Sequence, residues 1–481
     1  MDSKVLSSPA KFLRSFLDKQ ISKETLETYE AWWEEKGKDI STLIDREGTP
    51  WVKRYDRTGN RIDKILYPNE YRELVEKGYE TGIIWKAFEE KSVIPHYLLG
   101  YICSYYDPGL YCPYTVTMST AAPFYKYGSK EIKEKYFDNL VKRDASVWQG
   151  ATWMTEIKGG SDLGSNVETI ASKKGDYWIL NGEKYFCSNA HAELAVVAAR
   201  IEGAPQNVKG LGLFLVPRTR DDGSLNFSLE RLKDKIATHS VPTGEIELKD
   251  SIGYLLGPEM GIYQIMEVLN VSRTANCVAS VALGQRAIFE AYDFAKDRIA
   301  FGKPILEQPL LKAQFEEKLS SLKQAFALGW ETVTLLDEVW LETPPYSDRY
   351  HLFRLMAHLG KYWTAEFAVQ TAKWAMEVNA GLGTLKEFPV ERWLREAMIL
   401  SIWEGTPHRQ ILDGMEVMEQ KGAHKLLFAH ISEHADADEL QQWQVRIDSH
   451  LELPKDEKEA GAESLISDLA GFVAKSLLKR I

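Results

Sequence analysis

The sequence predicts an α+β protein with an N-terminal helical domain, a small central β-domain of barrel or sandwich type, and a C-terminal helical bundle. Three observations predict this fold class. Apolar residues recur every three or four positions toward both ends of the chain, which is typical of amphipathic helices. The middle of the chain instead contains short runs rich in β-branched and aromatic residues. A chain of 481 residues also exceeds what one hydrophobic core usually organises.

Changes in pattern divide the chain into four predicted segments. These are an N-terminal helical domain (1–150), a middle β-domain (151–257), a helical bundle (258–420) and a helical acidic tail (421–481). Within the first segment, the aromatic-rich stretch from Tyr101 to Tyr114 is predicted to be irregular.

The middle segment contains several predicted strands. They are Tyr177 to Leu180, Ala195 to Ala199, Leu211 to Val216 and Glu245 to Leu248. Because Asn-Gly is favoured in two-residue β-turns, Asn181-Gly182 predicts a hairpin.

Two long helical stripes mark the third segment. One passes through Phe315, Leu319, Leu322, Phe326, Trp330, Val333, Leu336 and Trp340, and the other through Phe353, Met356, Gly360, Trp363, Phe367, Thr371, Trp374 and Val378. The break at Thr343-Pro344-Pro345 separates them, so we expect an antiparallel bundle in which most of these side chains form the core.

Charge and cysteine usage exclude several classes of protein. The net charge of -11 argues against non-specific nucleic-acid binding. The four cysteines contain no CxxC pair, so we predict reduced thiols and no metal site. With neither an apolar run that would span a bilayer nor an apolar signal core, the sequence predicts a cytoplasmic protein without membrane contact.

Three segments contain residues suited to chemistry. The loop from Met154 to Asp162 offers hydroxyls and glycines that let a backbone approach a ligand, although such a loop alone is more often a plain turn. The segment from Arg298 to Pro304 offers a cation and an aromatic ring, or simply a basic helix end. No Rossmann GxGxxG or P-loop motif is present.

The third segment, Trp403 to Pro407, places a carboxylate just before a predicted helix. Thr406 is a good N-cap and Pro407 suits the first helical position. An apolar substrate would desolvate Glu404 there and raise its pKa, which improves a carboxylate as a base near neutral pH. A lone glutamate is nevertheless usually a surface residue.

Taken together, these motifs resemble the acyl-CoA dehydrogenases, and in particular the branch that contains the alkylation-response flavoprotein AidB. The resemblance covers about residues 45 to 420. It is carried, in order, by RYDRTG (54–59), CPYT (112–115), MTEIKGGSD (154–162), LERLKDK (229–235), YLLG (254–257), RIAFGKP (298–304) and IWEGT (402–406).

The resemblance implies an FAD site with several contacts. The backbone from Thr152 through Met154 to Thr155, with the Thr155 hydroxyl, would contact the isoalloxazine ring, and Ser161 would lie near the pyrophosphate or the CoA chain of the substrate. Further contacts implied in the same way are Phe186 and Ser188 beside the ring, Gly381 near the adenine, Gly405 and Thr406, and Arg298 and Phe301 reaching the FAD of a neighbouring subunit. The family often has Trp and Thr at the positions of Phe186 and Ser188. Because Arg298 and Phe301 would bind the FAD of a neighbouring subunit, the resemblance implies a homodimer or homotetramer.

The resemblance also implies the reaction. Glu404 would remove the α-proton of a fatty acyl-CoA while a β-hydride passes to flavin N5, giving trans-2-enoyl-CoA. Some family members carry the base on the helix that here holds Ser272 and Arg273, but Ser272 cannot act as a base. Arg273 would contact substrate or hold the pocket, and an electron-transfer flavoprotein or another acceptor would reoxidise the FAD.

Two alternatives remain open at the level of sequence. One is a DNA-associated alkylation-damage-response flavoprotein of the AidB type. The tail (residues 421–481) argues against DNA binding because it is acidic, with 8 Lys or Arg and 11 Asp or Glu. The other is an acyl-CoA oxidase, which differs in the access of oxygen to the flavin. Acyl chain length is not encoded in any motif that we identify.

Overall fold

The computed structural model describes residues 3–17, 22–258 and 261–480. It folds into two compact units. The first unit combines residues 1–31, 100–106 and 273–481, and the second combines residues 32–99 and 107–272.

The N-terminal part is helical except for one β-hairpin. Its elements are α1 (Ser3–Leu6), α2 (Pro9–Leu17), α3 (Lys23–Trp32), a π-helical turn (Trp33–Gly37), α4 (Lys38–Arg46), β1 (Trp51–Tyr55), β2 (Arg61–Leu66), α5 (Asn69–Thr81), α6 (Trp85–Glu90), α7 (Ile94–Tyr106), α8 (Pro108–Tyr127) and α9 (Lys130–Leu140). The irregular stretch predicted from Tyr101 to Tyr114 is wrong, because only Asp107 separates α7 from α8. The Asp107 carboxylate accepts a hydrogen bond from the Leu110 amide at 2.8 Å and caps α8.

The middle part forms a seven-stranded sheet. Its elements are β3 (Gly150–Trp153), α10 (Leu163–Asn166), β4 (Ile170–Lys174), β5 (Tyr177–Ser188), β6 (Leu194–Ile201), β7 (Leu211–Pro217), β8 (Ser228–Leu232) and β9 (Thr243–Leu255). The strand order is β3-β6-β4-β5-β9-β7, with β8 paired to β9. Because β6 also pairs with β7, the strands close into a small barrel around a core that includes Trp153, Phe214 and Leu229.

The hairpin predicted at Asn181-Gly182 is wrong, because β5 continues through these two residues. They form a bulge in the pairing of β5 with β9. Gly182 has φ +154°, and a Cβ added to it would lie 2.5 Å from the Thr169 hydroxyl oxygen. The Asn181 side chain accepts a hydrogen bond from the Asp250 amide at 2.8 Å. The glycine therefore allows Thr169, the residue just before β4, to approach the β5 backbone closely.

The C-terminal part is a helical bundle. Its elements are α11 (Ile262–Asp297), β10 (Ile299–Ala300), β11 (Lys303–Pro304), α12 (Pro309–Val339), α13 (Asp348–Asn379), a 3₁₀ turn (Ala380–Thr384), α14 (Val390–Ile402), α15 (Pro407–Lys421), α16 (Ala423–Ile431), α17 (Ala437–Leu451) and α18 (Lys455–Leu478). The two predicted helical stripes are confirmed as α12 and α13. The acidic tail is part of this bundle, since α18 packs against α12, α13 and α15.

In the part of the chain that the structure describes, no helix combines the length and apolar character needed to cross a bilayer. Over the same residues, no cluster of His, Cys, Asp and Glu is arranged to hold a metal ion. All four cysteines are free and buried, as expected for reduced thiols.

Candidate active site

Glu404 lies on a tight turn between α14 and α15, which we call the base turn (residues 403–406). Glu404 and Gly405 both have left-handed backbone conformations, with φ +59° and +105°. A left-handed glutamate is strained, and such strain persists only where the surroundings hold it. Thr406 lies at the N-cap position of α15 with Pro407 in its first turn, as predicted, but the Thr406 side chain makes no capping hydrogen bond.

Three side chains hold the carbonyl oxygens of this turn. Arg273 Nε donates to the Glu404 carbonyl at 3.2 Å, and Gln410 Nε2 donates to the Glu404 and Gly405 carbonyls at 3.1 and 3.2 Å. Lys361 Nζ donates to the carbonyls of Ser401 and Gly405, both at 2.8 Å. The strained backbone of Glu404 is therefore fixed from several helices of the first unit.

The Glu404 amide, in contrast, donates to no carbonyl among the described residues. A free amide at the residue that carries the carboxylate is available to a ligand. In the described chain the base turn therefore presents one unpaired N–H donor and one carboxylate at the same residue.

The electrostatics of the turn favour a base that titrates near neutral pH. The residue keeps partial exposure, but protein atoms enclose the carboxyl group. Burial raises the pKa of Glu404 to about 7, while the positive charges of Arg273 and Lys361 oppose that rise. Burial, with the nearby charge of Arg273, lowers the pKa of Lys361 to about 7 as well.

A further group of side chains orients Arg273 and Gln410. The Asp413 carboxylate accepts from Arg273 Nη2 at 3.2 Å and from Arg409 Nε at 2.7 Å. His358 Nδ1 lies 2.9 Å from Gln410 Oε1 and acts as the donor, since the Gln410 amide nitrogen already donates to the base turn. Burial lowers the pKa of His358 to about 3, so it stays neutral.

The second unit gathers the predicted residues of the 154–162 loop and of β5. The Thr155 carbonyl accepts from the Tyr185 amide at 3.0 Å, and the Trp153 indole donates to the Ser188 carbonyl at 3.2 Å. Thr152, Met154 and Thr155 thus lie beside the strand end that carries Phe186 and Ser188. Ser161 is exposed in the same loop.

Glu156 anchors this loop from within. Its carboxylate accepts from Lys184 Nζ at 2.5 Å, from the Thr169 hydroxyl at 2.6 Å and from the Glu168 amide at 2.7 Å. Burial works against the charge, but Lys184 and these donors hold the pKa of Glu156 below its usual range. The loop therefore has a fixed shape before any ligand binds.

The residues present fit a flavin cofactor. In the described chain the Thr155 hydroxyl makes no hydrogen bond to protein, and the Phe186 ring is 55% exposed at the end of a strand. Around Gly381, an added Cβ would meet no atom within 4 Å, so packing within the chain does not require a glycine there. Lys233 Nζ lies over the Phe186 ring, 5.0 Å from its centroid, yet more than half of this residue is exposed. A free hydroxyl beside a partly exposed aromatic ring is what a planar, hydrogen-bonding ligand needs.

Arg298 directly precedes a short hairpin formed by β10 and β11, and Phe301 lies in the turn of that hairpin. Phe301 has φ +50° at the turn and is 98% exposed. The Arg298 side chain is exposed, and no carboxylate of the described chain pairs with it.

Sequence reasoning missed Lys361, Gln410, His358 and Asp413. Lys361 and Gln410 bind backbone carbonyls, and such contacts leave no motif. The one available signal is that Lys361 follows Gly360 on the buried stripe of α13, where a charged residue requires a partner.

Comparison with known proteins gives matches along most of the chain. Residues 11–145 match the family model "Adaptive response protein AidB N-terminal domain", residues 151–251 match "Acyl-CoA dehydrogenase, middle domain", and residues 259–418 match "Acyl-CoA dehydrogenase, C-terminal domain".

Relatives and solved structures agree with these matches. The chain is 30% identical to acyl-CoA dehydrogenase family member 11 of Caenorhabditis elegans, over 77% of this chain and 63% of the worm protein. It is 29% identical to AidB of Escherichia coli over 79% of this chain and 71% of AidB. It is 31% identical to the human mitochondrial short-chain specific acyl-CoA dehydrogenase over 60% of this chain and 67% of the human protein. The structure resembles that of Bd2924 in its apo form, with TM-score 0.87, 25% identity and coverage of 100% and 98%. It also resembles C. elegans ACDH-11 in complex with C11-CoA, with TM-score 0.83, 23% identity and coverage of 99% and 87%.

Proposed function

The chain belongs to the acyl-CoA dehydrogenase family, whose members are FAD-dependent oxidoreductases. We propose that it oxidises a fatty acyl-CoA to trans-2-enoyl-CoA with Glu404 as the base. One observation carries the proposal. Glu404 is held on a strained turn, with its pKa raised to about 7 by burial. A carboxylate with such a pKa is matched to proton abstraction at neutral pH.

The residues of the chain divide the work in a simple way. Glu404 accepts the proton from the α-carbon, and its free amide donates to the thioester carbonyl, which stabilises the developing enolate. Arg273 and Gln410 hold the carbonyl of Glu404 so that the carboxylate and the amide keep their positions. Bound FAD supplies the acceptor for the β-hydride. In our proposal the cofactor is held by Thr152, Met154, Thr155, Ser161, Phe186, Ser188, Gly381, Gly405 and Thr406. Arg298 and Phe301 would contact the FAD of a neighbouring subunit.

The substrate class rests on the family and on the C11-CoA complex of the worm relative. An acyl chain has an apolar tail, which would complete the desolvation of the Glu404 carboxylate when it binds. We propose an electron-transfer flavoprotein, or another external acceptor, as the partner that completes the cycle.

The test is Glu404→Gln, which keeps the size and hydrogen-bonding capacity of the side chain but removes the proton acceptor. Loss of a general base costs on the order of 100-fold to 10,000-fold in rate. Anaerobic titration with acyl-CoAs of graded length should therefore bleach the flavin of the wild type quickly and that of the variant very slowly. FAD content and acyl-CoA binding should be retained.

Glu416→Gln is the matched control, because Glu416 is exposed on α15 and outside the base turn. It should reduce its flavin at the wild-type rate. If Glu404→Gln bleaches within a few-fold of the wild-type rate, Glu404 is not the base.

A further inference from the structure

We propose that Lys361 is a positioning residue for the Glu404 base: its ammonium fixes both sides of the base turn and, with Arg273, keeps positive charge beside the carboxylate. This inference rests on the proposed function of Glu404. It concerns a residue that contacts the base turn only through backbone carbonyls.

The geometry is the first argument. Lys361 lies in the middle of α13, which packs against both α14 and α15. Lys361 is fully buried. Its Nζ donates at 2.8 Å to the carbonyl of Ser401, which precedes Glu404, and at 2.8 Å to the carbonyl of Gly405, which follows it. A single side chain thus bridges residues 401 and 405, with Glu404 between them.

The two carbonyls that accept from Lys361 both favour a cationic donor. Ser401 lies in the last turn of α14, where carbonyls lack intrahelical partners and carry the negative end of the helix dipole. A cation is the favoured partner of such a carbonyl. Gly405 has φ +105°, so its carbonyl direction depends on an unusual backbone conformation that a strong donor can hold.

The third argument is the charge around the pair. The charged groups that act on Lys361 are Arg273 on α11, Glu366 on α13 and Glu404 itself, whereas burial raises the pKa of the nearby Cys277 thiol to about 12 and keeps it neutral. Those that act on Glu404 are Arg273 and Lys361. The charge of Arg273 acts on Glu404 more strongly than that of Lys361, but Arg273 is also paired with Asp413, whereas Lys361 can be replaced without breaking that ion pair.

The consequence is a shift in the pH dependence of catalysis. Without the positive charge of Lys361, the pKa of Glu404 rises, because an opposite charge that favoured its ionised form is lost. Nearby charges of this kind shift a carboxyl pKa by roughly one unit or more. A smaller fraction of Glu404 is then ionised at neutral pH, and the deficit disappears at high pH.

The test uses the FAD-loaded protein and Lys361→Met, which keeps chain length but removes the charge and both donors. The rate of flavin reduction by acyl-CoA is measured from pH 5.5 to 9.5. We expect the acidic limb of the profile to move up by as much as about one unit. Because the pKa of Lys361 is itself about 7, the loss of rate should be several-fold below pH 7, where Lys361 carries its charge, and less than two-fold at pH 9.

Three companion variants separate charge from packing. Lys361→Gln also lacks the charge and should show the same shift, so the test survives if the Met variant folds poorly. Lys361→Arg keeps the charge at every pH and should leave the acidic limb of the profile at or below its wild-type position. Lys373→Met, an exposed site on the same helix, should leave the profile unchanged.

The outcomes distinguish the inference from the proposed function. Suppose that Glu404→Gln is inactive but the Met and Gln variants of Lys361 show the same acidic limb of the pH profile as the wild type. The positioning role of Lys361 is then rejected, and the role of Glu404 as the base stands. A uniform loss of rate at every pH also overturns it, since that is a packing effect. If Glu404→Gln remains active, the proposed function itself fails.

Discussion

At the scale of single residues, the base is expected to reduce the stability of the fold. Because burial raises the pKa of Glu404 to about 7 from an ordinary 4.5, the folded state binds more protons than the unfolded state between these values. The free energy of unfolding therefore falls as pH rises through that window. Catalytic groups often have such a cost.

This gives a prediction that does not depend on activity. Relative to Glu404→Gln, the wild type should lose on the order of 2 kcal/mol of unfolding free energy between pH 5 and pH 8. Chemical unfolding of both proteins at each pH measures it, with Glu416→Gln as a control expected to follow the wild type. If the unfolding free energies of the wild type and of Glu404→Gln change in parallel across this pH range, the carboxyl is not desolvated.

Some residues of the site could be predicted from the sequence, and others could not. Thr406 and Pro407 predict a helix start because a cap is a local signal in adjacent residues, whereas Glu404 is singled out as the base only by the resemblance of its motif to the family. The left-handed φ of Glu404 was not readable, because it depends on donors from Arg273 and Lys361, which lie 131 and 44 residues away from their acceptors. Contacts of that range are set by packing of whole helices.

At the scale of elements, strand β5 shows how a local rule loses to tertiary context. Asn-Gly favours a two-residue turn, yet here β9 and Thr169 lie on either side and the strand continues. The helical stripes of α12 and α13 were predictable since their period extends over many turns. A two-residue signal is weaker than the pairing of a whole strand.

Gly182→Ala tests that reading of β5. An added Cβ would lie 2.5 Å from the Thr169 hydroxyl and 2.6 Å from the Thr169 Cα, at φ +154°. We expect destabilisation of roughly 2–4 kcal/mol, since both strain and a backbone clash are introduced. Gly175→Ala is the matched control, with φ +63° and no atom within 4 Å, and should cost only about 1 kcal/mol. Equal effects in urea unfolding would show that steric contact at the bulge is unimportant.

At the scale of the whole molecule, charge bears on the choice between enzyme and DNA-associated protein. The N-terminal match to the AidB model keeps the second possibility in view. The chain has a net charge of -11, and its C-terminal tail is itself acidic. A net negative charge disfavours non-specific binding to phosphate backbones, which favours the metabolic enzyme.

The remaining whole-molecule question is self-association. Phe301 is 98% exposed at a left-handed position on the β10–β11 hairpin, so its ring contributes almost nothing to the stability of a single chain. The family resemblance implies that this hairpin reaches the FAD of a neighbouring subunit. A ring of this size gains roughly 2 kcal/mol or more when a partner covers it.

We therefore predict that Phe301→Ala weakens self-association and lowers FAD occupancy together, because each cofactor would lose a contact from the adjacent chain. Sedimentation velocity gives the oligomeric state across a dilution series, and the ratio of flavin to protein absorbance gives the occupancy. Val445→Ala, which removes an apolar side chain that is 60% exposed on α17, is the control and should change neither quantity. A Phe301→Ala protein that associates and retains FAD like the wild type would place the hairpin outside any subunit contact.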